Sequence, residues 1–505
     1  FSDLMESYNL NISMGGERKR PTNYTDVKDG LFRDAKDFDD AVWAEDTDKG
    51  FHIIVAIADV AHYIKEGGKL DVEAQHRGNS TYFPDRVVPM LPERLSNDLC
   101  SLRPHEDRPV LAVHMWINQH GTLTKHKFVR AVIHSHARLT YNQVQQAFDG
   151  NPDETAKPVL KSTLLPLKAA YKALLKARAS RGAVDLDLPE VQILTDKDGN
   201  IETFETRQRF DSHKLIEEMM ILANVATATA LETKGAECLY RVHPAPDGKK
   251  LDTLKAVMKS YNVKVGDMGS NPTPKAFQAL SNRVREHGSS TILMRTLLQS
   301  QQQARYDKDN IGHFGLALQR YAHFTSPIRR YSDLVVHRSL VKNLNLVGDG
   351  ALKTPESKLS GIAEHISYTE RRSQMAEWEA RDRLTTRYFG EFIGKEFKAT
   401  VMSVTKFGMF VAIEDGVAEG LLPVRMMGDD HYMFNPKRQT LTGKHTKKRY
   451  SVGSTLPVIL IEANQLEGKL TFAPVGYQET SGKNKRPHHR RRHPGTRRQK
   501  GRKKN

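Results

Sequence analysis

Asp37, Asp39 and Asp40 place three carboxylates within four positions, in the run Asp34-Ala35-Lys36-Asp37-Phe38-Asp39-Asp40-Ala41. Like charges this close repel each other unless a cation sits among them. In an extended chain Asp37 and Asp39 point to one side, and Asp40 joins them only where the backbone turns. The apolar stretch 51–59 that follows reads as a buried strand. Acids beside such a strand suit a metal cage better than a solvated face. Oxygen ligands with no Cys close by in sequence favour Mg²⁺, with Mn²⁺ as the alternative. Taken alone, an Asp cluster is as often a surface turn or a helix start. A calcium-binding loop would need Gly at its sixth position and Glu at its twelfth, where Val42 and Asp48 stand, so it is excluded.

A second dense constellation runs from His313 to His337, with Ser326-Pro327-Ile328-Arg329-Arg330-Tyr331 at its centre. Pro327 suits the first turn of a helix. Arg329 and Arg330 would then lie near the positive helix start, an arrangement that attracts phosphate. A planar guanidinium fork matches a scissile phosphate or the charge growing on it. His313, His323 and His337 read as structural histidines.

Several elements must position these groups. Strands are expected at 55–60, 110–117 and 127–133, and a helix over 155–180, where leucines recur near a period of 3.6. Runs 191–194 and 201–206 flank Asp198-Gly199, a hairpin signal. Helices are expected near 212–232, 251–262, 274–286, 291–303, 329–346 and, as one long polar helix, 355–390. Residues 1–25 read as a short helix and a linker remnant. After Gly394 short strands with charged turns read as a small β-barrel. The fold class is therefore α+β. It comprises a catalytic domain with a mixed sheet surrounded by helices over 26–392, an OB-type barrel over 393–475, and a disordered basic tail over 476–505.

The 505-residue chain is long enough for several domains, and 38% hydrophobic with 27% charged residues fits a soluble globular protein. No apolar run reaches membrane-spanning length, no secretory signal is visible, and two cysteines exclude a disulfide framework. These features point to a cytoplasmic protein. The net charge is +17, and residues 483–505 hold twelve Lys or Arg and no acid, which leaves only about +5 for the rest. Such a tail suits an arm that attracts phosphates by counterion release.

Taken together, the two constellations resemble the RNB family of exoribonucleases, the RNase II and RNase R enzymes. Asn79-Ser80-Thr81-Tyr82-Phe83-Pro84-Asp85, the run 88–102, His136 to Tyr141, Arg181 to Asp185 and His213 to Met220 match that family in order. The resemblance covers about residues 26–475 and includes a C-terminal S1 domain. The tail and the detailed match lie nearer the RNase R branch, without the family's N-terminal cold-shock domains.

The resemblance implies processive, hydrolytic 3′→5′ digestion of single-stranded RNA to nucleoside 5′-monophosphates by a monomer. It implies Asp37, Asp39 and Asp40 as Mg²⁺ ligands, with Asp39 the most critical, and Arg329 on the reacting phosphate. Tyr82 matches a base-stacking position. Tyr141 and Glu217 match positions that favour ribose, and Glu377 matches one that holds the RNA end. Arg330 and, in the barrel, Phe407 complete the expected RNA contacts. Either Phe407 faces the RNA with Phe410 in the core, or the reverse.

Two departures stand out. Where the family has a fourth Asp, this chain has Leu31. Asp29 is the candidate replacement and Asp34 the runner-up. The aromatic usually opposite Tyr82 is Leu186, which can pack on a base but cannot π-stack. The competing readings are an RNA-binding pseudo-enzyme with an impaired metal site and a metal-dependent DNA exonuclease.

Overall fold

The computed structural model describes residues 6–8, 13–14, 37–185, 191–196, 199–206, 208–269, 272–288, 290–428, 430–436 and 438–477. Asp29, Asp34, Leu186 and the basic tail lie outside the described residues.

A seven-stranded sheet organises the first half of the chain. Its central strand is β4 (Gly50–Ala58), whose residues are buried throughout except His52. That continuous burial follows from the apolar run Ile53 to Ala58, which has neighbours on both edges and both faces. β3 (Asp40–Thr47) pairs antiparallel on one side of β4, and β7 (Asp107–Asn118) on the other. β8 (Leu123–His134) returns from β7 as a long hairpin. Gly121 in its turn has φ +75°, and an added Cβ would lie 2.3 Å from the Ala173 carbonyl oxygen, so the turn packs directly on a helix backbone. β1 (Glu6–Tyr8) lies parallel to β8. At the opposite edge come β2 (Ser13–Met14) and β9 (Arg138–Leu139). The expected helix in residues 1–25 is thus replaced, where described, by two strands, because pairing partners remote in sequence capture those segments.

Helices α5 (Leu165–Arg181) and α6 (Asp211–Thr233) cover the sheet. α6 buries Leu215, Met219, Leu222 and Ala226 at helical spacing. Helices α1 (Val60–Tyr63), α2 (Lys69–Arg77), α3 (Tyr141–Phe148) and α4 (Lys157–Val159) complete this layer, and β5 (Thr81–Tyr82) pairs with β6 (Val87–Val88) nearby. The hairpin β10 (Val191–Thr195) and β11 (Ile201–Thr206) forms as expected. β12 (Tyr240–Val242) meets β13 (Arg305–Asp307). Between them α7 (Gly248–Ser260), α8 (Pro274–Arg285) and α9 (Ser290–Gln299) enclose a small core of Leu254, Phe277, Leu280 and Leu297.

Helix α10 (Tyr331–Asn343) is almost wholly buried. Its Arg338 pairs with Asp71 of α2 at 2.8 Å and donates to the Ile64 carbonyl. The start of α10 differs from expectation. Pro327 does not open it; the helix begins at Tyr331 after Arg330, which is extended (φ −134°, ψ 124°). The long polar helix is present as α11 (Glu356–Phe389), 34 residues in one piece.

The C-terminal region closes into a five-stranded barrel. Its strands are β14 (Glu396–Val404), β15 (Gly408–Ile413), β16 (Ala418–Pro423), β20 (Thr455–Asn464) and β21 (Lys469–Pro474). Met409, Val411, Leu422, Val458 and Phe472 fill it. Phe407 and Phe410 both point outward, 53% and 37% exposed, with their rings edge to face. The expectation that one of them is core fails because Met409 and Val411 take the inward positions of β15, which turns Phe410 outward, while Phe407 lies in the bend before the strand. A three-stranded sheet, β17 (Tyr432–Asn435), β18 (Thr440–Gly443) and β19 (Arg449–Ser451), sits between β16 and β20 and was not foreseen. Among the described residues no helix is long and apolar enough to cross a membrane.

Candidate active site

The acidic run is held by backbone bonds before it reaches β3. The Phe38 N–H donates to Ser101 Oγ (3.1 Å), and the Phe38 carbonyl accepts from Leu102 N–H (3.0 Å). The Asp39 carbonyl accepts from Ala58 N–H at 2.8 Å. The guanidinium of Arg138 lies 4.8 Å from the centre of the Phe38 ring. Asp37, Asp39 and Asp40 are therefore fixed at the rim of the sheet rather than on a free loop.

The turn 325–330 meets them from the other side. Asp39 Oδ1 accepts the Ile328 N–H at 3.0 Å, and Arg329 Nε lies 3.9 Å from Asp39 Oδ2. Asp39 is buried, whereas the Arg329 side chain is 44% exposed. Burial pushes the Asp39 carboxyl well above its usual range. Arg329 and the Ile328 N–H oppose that shift, while the charges of Asp37 and Asp40 add to it. Asp40 is pushed up to about 7, again by burial, with Arg329 opposing. Arg329 acts on both acids, so the strand alternation that separates Asp40 in a straight chain does not remove it from the site.

The shape of the turn depends on Asp333, which is fully buried in the first turn of α10. Its Oδ1 accepts from Ser326 N–H (2.8 Å) and Arg330 Nη2 (2.7 Å), and its Oδ2 from Ser332 Oγ (2.8 Å). Arg330 is thus drawn inward to an ion pair, not outward to a helix N-terminus. Residues 78–80 lie alongside, with Ser80 N–H donating to the Arg329 carbonyl and Tyr331 N–H to the Gly78 carbonyl. Gly78 has φ +75°, and an added Cβ would meet Thr369 Oγ1 of α11 at 2.0 Å. Only glycine lets this segment pass so close to the helix.

That pairing brings Tyr82 beside Arg329. A cavity of about 120 Å³ lies between them, with Asn79, Tyr82, Tyr306, Arg329, Arg330 and Glu370 in its wall. Tyr82 N–H donates to Glu377 Oε1 at 2.6 Å, so two expected site residues 295 positions apart are in direct contact. Behind the cavity Arg241 pairs with Glu370 (2.6 Å) and lies 4.7 Å over the Tyr306 ring.

Tyr141 and Glu217 sit on α3 and α6. Tyr141 opens α3, which Thr140 caps, and its ring stacks on His213 at 4.0 Å. Glu217 of α6 pairs with Arg209 and approaches Arg178 at 3.3 Å. Burial lowers the pKa of His243, His313, His323 and His337, and His337 Nε2 donates to the Phe324 carbonyl, in keeping with structural roles.

The acids fit a hard divalent cation. Asp39, with Asp37 close enough to raise it, and Asp40 both face the Arg329 guanidinium and are still raised, so their anionic forms are short of positive charge. Cys100 is near Asp39, but burial and then the Asp39 charge push its thiol up, so the donor set stays oxygen. Among the described residues no group of three or more His, Cys, Asp or Glu is arranged to hold a metal by itself. The two candidates for a fourth acid lie outside those residues. Sequence reading did not single out Asp333, Ser101 or Asn79. The first lies within the 313–337 run and the last opens the 79–85 run, so motif context alone marks them.

The sequence profile described as the RNB domain matches residues 32–345, and that of the S1 RNA binding domain matches 391–472. Ribonuclease R of Escherichia coli (strain K12) is 38% identical over 453 residues, covering 88% of this chain and 56% of its own length. Ribonuclease R of Aquifex aeolicus is 39% identical over 443 residues, covering 87% and 62%. The chain thus spans little more than half the length of such relatives. Among solved structures, the apo form of Mycoplasma genitalium RNase R superposes with a TM-score of 0.86 at 29% identity, covering 94% of this chain and 72% of that one. The same enzyme with ribose methylated single-stranded RNA gives the same values.

Proposed function

We propose, on the premise that the chain belongs to the RNB domain family, that it is a hydrolytic 3′→5′ exoribonuclease releasing nucleoside 5′-monophosphates from single-stranded RNA. The observation that carries this reading is the meeting of Asp39 with Ile328 N–H and Arg329, acid and guanidinium from distant parts of the chain, beside a cavity walled by Tyr82. The RNA complexes of the M. genitalium enzyme support RNA as the ligand.

RNB nucleases are generally dependent on a divalent metal. Here Asp37, Asp39, Asp40 and Asp29 would hold Mg²⁺, with Mn²⁺ as the alternative. When bound, such ions supply an acidified water and neutralise phosphate oxygens. Arg329, half-exposed at the cavity mouth, orients the scissile phosphate and offsets its growing charge. Tyr82 and Leu186 grip the terminal bases, by stacking on one side and by packing on the other. Tyr141 and Glu217 read the ribose, and Glu377 both fixes the Tyr82 backbone and holds the RNA end. Phe407 offers an exposed face for incoming bases. The division into a catalytic unit over 26–392, a barrel over 393–475 and a basic tail over 476–505 belongs to the same reading, as do a monomeric state, processive action and a cytoplasmic location.

The test is a 5′-labelled single-stranded RNA incubated with Mg²⁺ and with matched DNA in parallel. Stepwise shortening of RNA alone, lost in Asp39→Asn while binding persists, is expected. No shortening of RNA by the wild-type chain would support the pseudo-enzyme, and equal shortening of DNA the DNA exonuclease.

A further inference from the structure

The cavity beside Arg329 contains a chemical asymmetry that the roles above leave unused. Asn79 Oδ1 and Arg330 Nε are both buried, and neither has a hydrogen-bond partner among the described residues. Both residues line the same cavity, and their backbones form a β-bridge. Each side chain is anchored through another of its atoms. Asn79 Nδ2 donates to the Ser80 carbonyl (2.9 Å), and Arg330 Nη2 is held by Asp333. One acceptor and one donor therefore remain on the two residues that face each other across this bridge. Leaving a buried polar atom unpaired is costly, so a complementary group in the cavity is favoured.

The pair is selective about what that group can be. A phosphate oxygen accepts only and cannot serve Asn79 Oδ1. A hydroxyl does both tasks: its O–H donates to Asn79 Oδ1 and its oxygen accepts from Arg330 Nε–H. On an RNA strand entering between Tyr82 and Arg329, that hydroxyl is a ribose 2′-OH. Rotation of Asn79 about its broad terminal torsion opens the pair to the sugar.

We propose that Asn79 and Arg330 form a 2′-hydroxyl subsite beside the reacting phosphate, separate from Tyr141 and Glu217, and that Asn79 is a specificity-determining residue for RNA over DNA. This rests on the exoribonuclease reading.

The experiment crosses a protein change with a substrate change. Single 2′-deoxy substitutions are placed in turn at each of the last few nucleotides, and release of the first mononucleotide is measured under single turnover for wild type, Asn79→Ala and Asn79→Asp. At one position the deoxy sugar is expected to slow the wild type roughly tenfold. The same substitution should leave Asn79→Ala unchanged, while Asn79→Asp, which keeps an acceptor, stays sensitive. A merely structural Asn79, or a bound water only, would make Asn79→Ala slower by the same factor on every substrate, and that result overturns the subsite. Absence of any 3′→5′ release by the wild type would instead overturn the underlying activity.

Discussion

Replacing Asp333 tests whether the active-site turn is built by a buried anion. Asp333→Ala leaves three groups behind: the Arg330 guanidinium, the Ser326 N–H and the Ser332 hydroxyl, formerly at 2.7, 2.8 and 2.8 Å. Breaking a buried charge pair by removing one partner costs about 3–5 kcal/mol. Ser332 can turn to another acceptor, so it adds little. Asp333→Asn keeps one acceptor for Ser326 N–H but loses the charge on Arg330, and a cost of about 1.5–3 kcal/mol is expected. The turn also carries Ile328 N–H and Arg329, so its relaxation displaces both relative to Asp39. A misplacement of about 1 Å can lower a reaction rate about a hundredfold. Urea unfolding followed by the fluorescence of Trp43 and Trp116 reads the first effect, and single-turnover hydrolysis, at a temperature where both proteins are folded, reads the second. An Asp333→Ala protein within about 1 kcal/mol of wild type would refute the anchoring role. A destabilised variant that hydrolyses at the wild-type rate would refute the link from Asp333 to Arg329.

Burial of the His313 ring, with His243 and Arg241 beside it, lowers its pKa to about 3, so it is neutral in the fold. A depressed histidine adds stability above its unfolded value near 6.5 that is lost as pH falls toward 3; the wild type should lose about 2 kcal/mol more between pH 7 and 5 than His313→Asn. Equal losses in the two proteins would contradict this. Phe407→Ala should leave barrel stability nearly unchanged, since the ring is exposed, yet weaken single-stranded RNA binding by about 1–3 kcal/mol in a fluorescence anisotropy titration. Unchanged affinity would remove Phe407 from the RNA path.

The parts legible in the sequence are those written locally. Apolar runs such as Ile53 to Ala58 announced the central strand, helical spacing announced α6, a long polar stretch with little Gly or Pro announced α11, and short strands separated by Gly or charged turns announced the barrel. The acidic run and Arg329 were each visible as motifs, and the family resemblance joined them. The parts that were not legible depend on contacts between remote positions. Nothing near Glu377 indicates that its carboxylate meets the Tyr82 backbone. Nothing near Arg330 indicates that Asp333 turns it inward. The outward placement of Phe410 follows from the register between β15 and β16, where Met409 faces Leu422, and that of Phe407 from the bend that precedes β15; local alternation leaves both open. The short strands β1 and β2 acquire structure only through edges supplied by β8 and β3.

Helix α11 has a mechanical consequence. At 34 residues it is a strut about 51 Å long. Midway it carries Glu370 and Glu377, which fix Arg241 and the Tyr82 strand, and toward its end it rests on β16, β20 and β21. On the proposed reading, tension on an RNA strand at the barrel would travel along one unbroken rod to the Tyr82 wall, so pull and grip would be coupled through that helix.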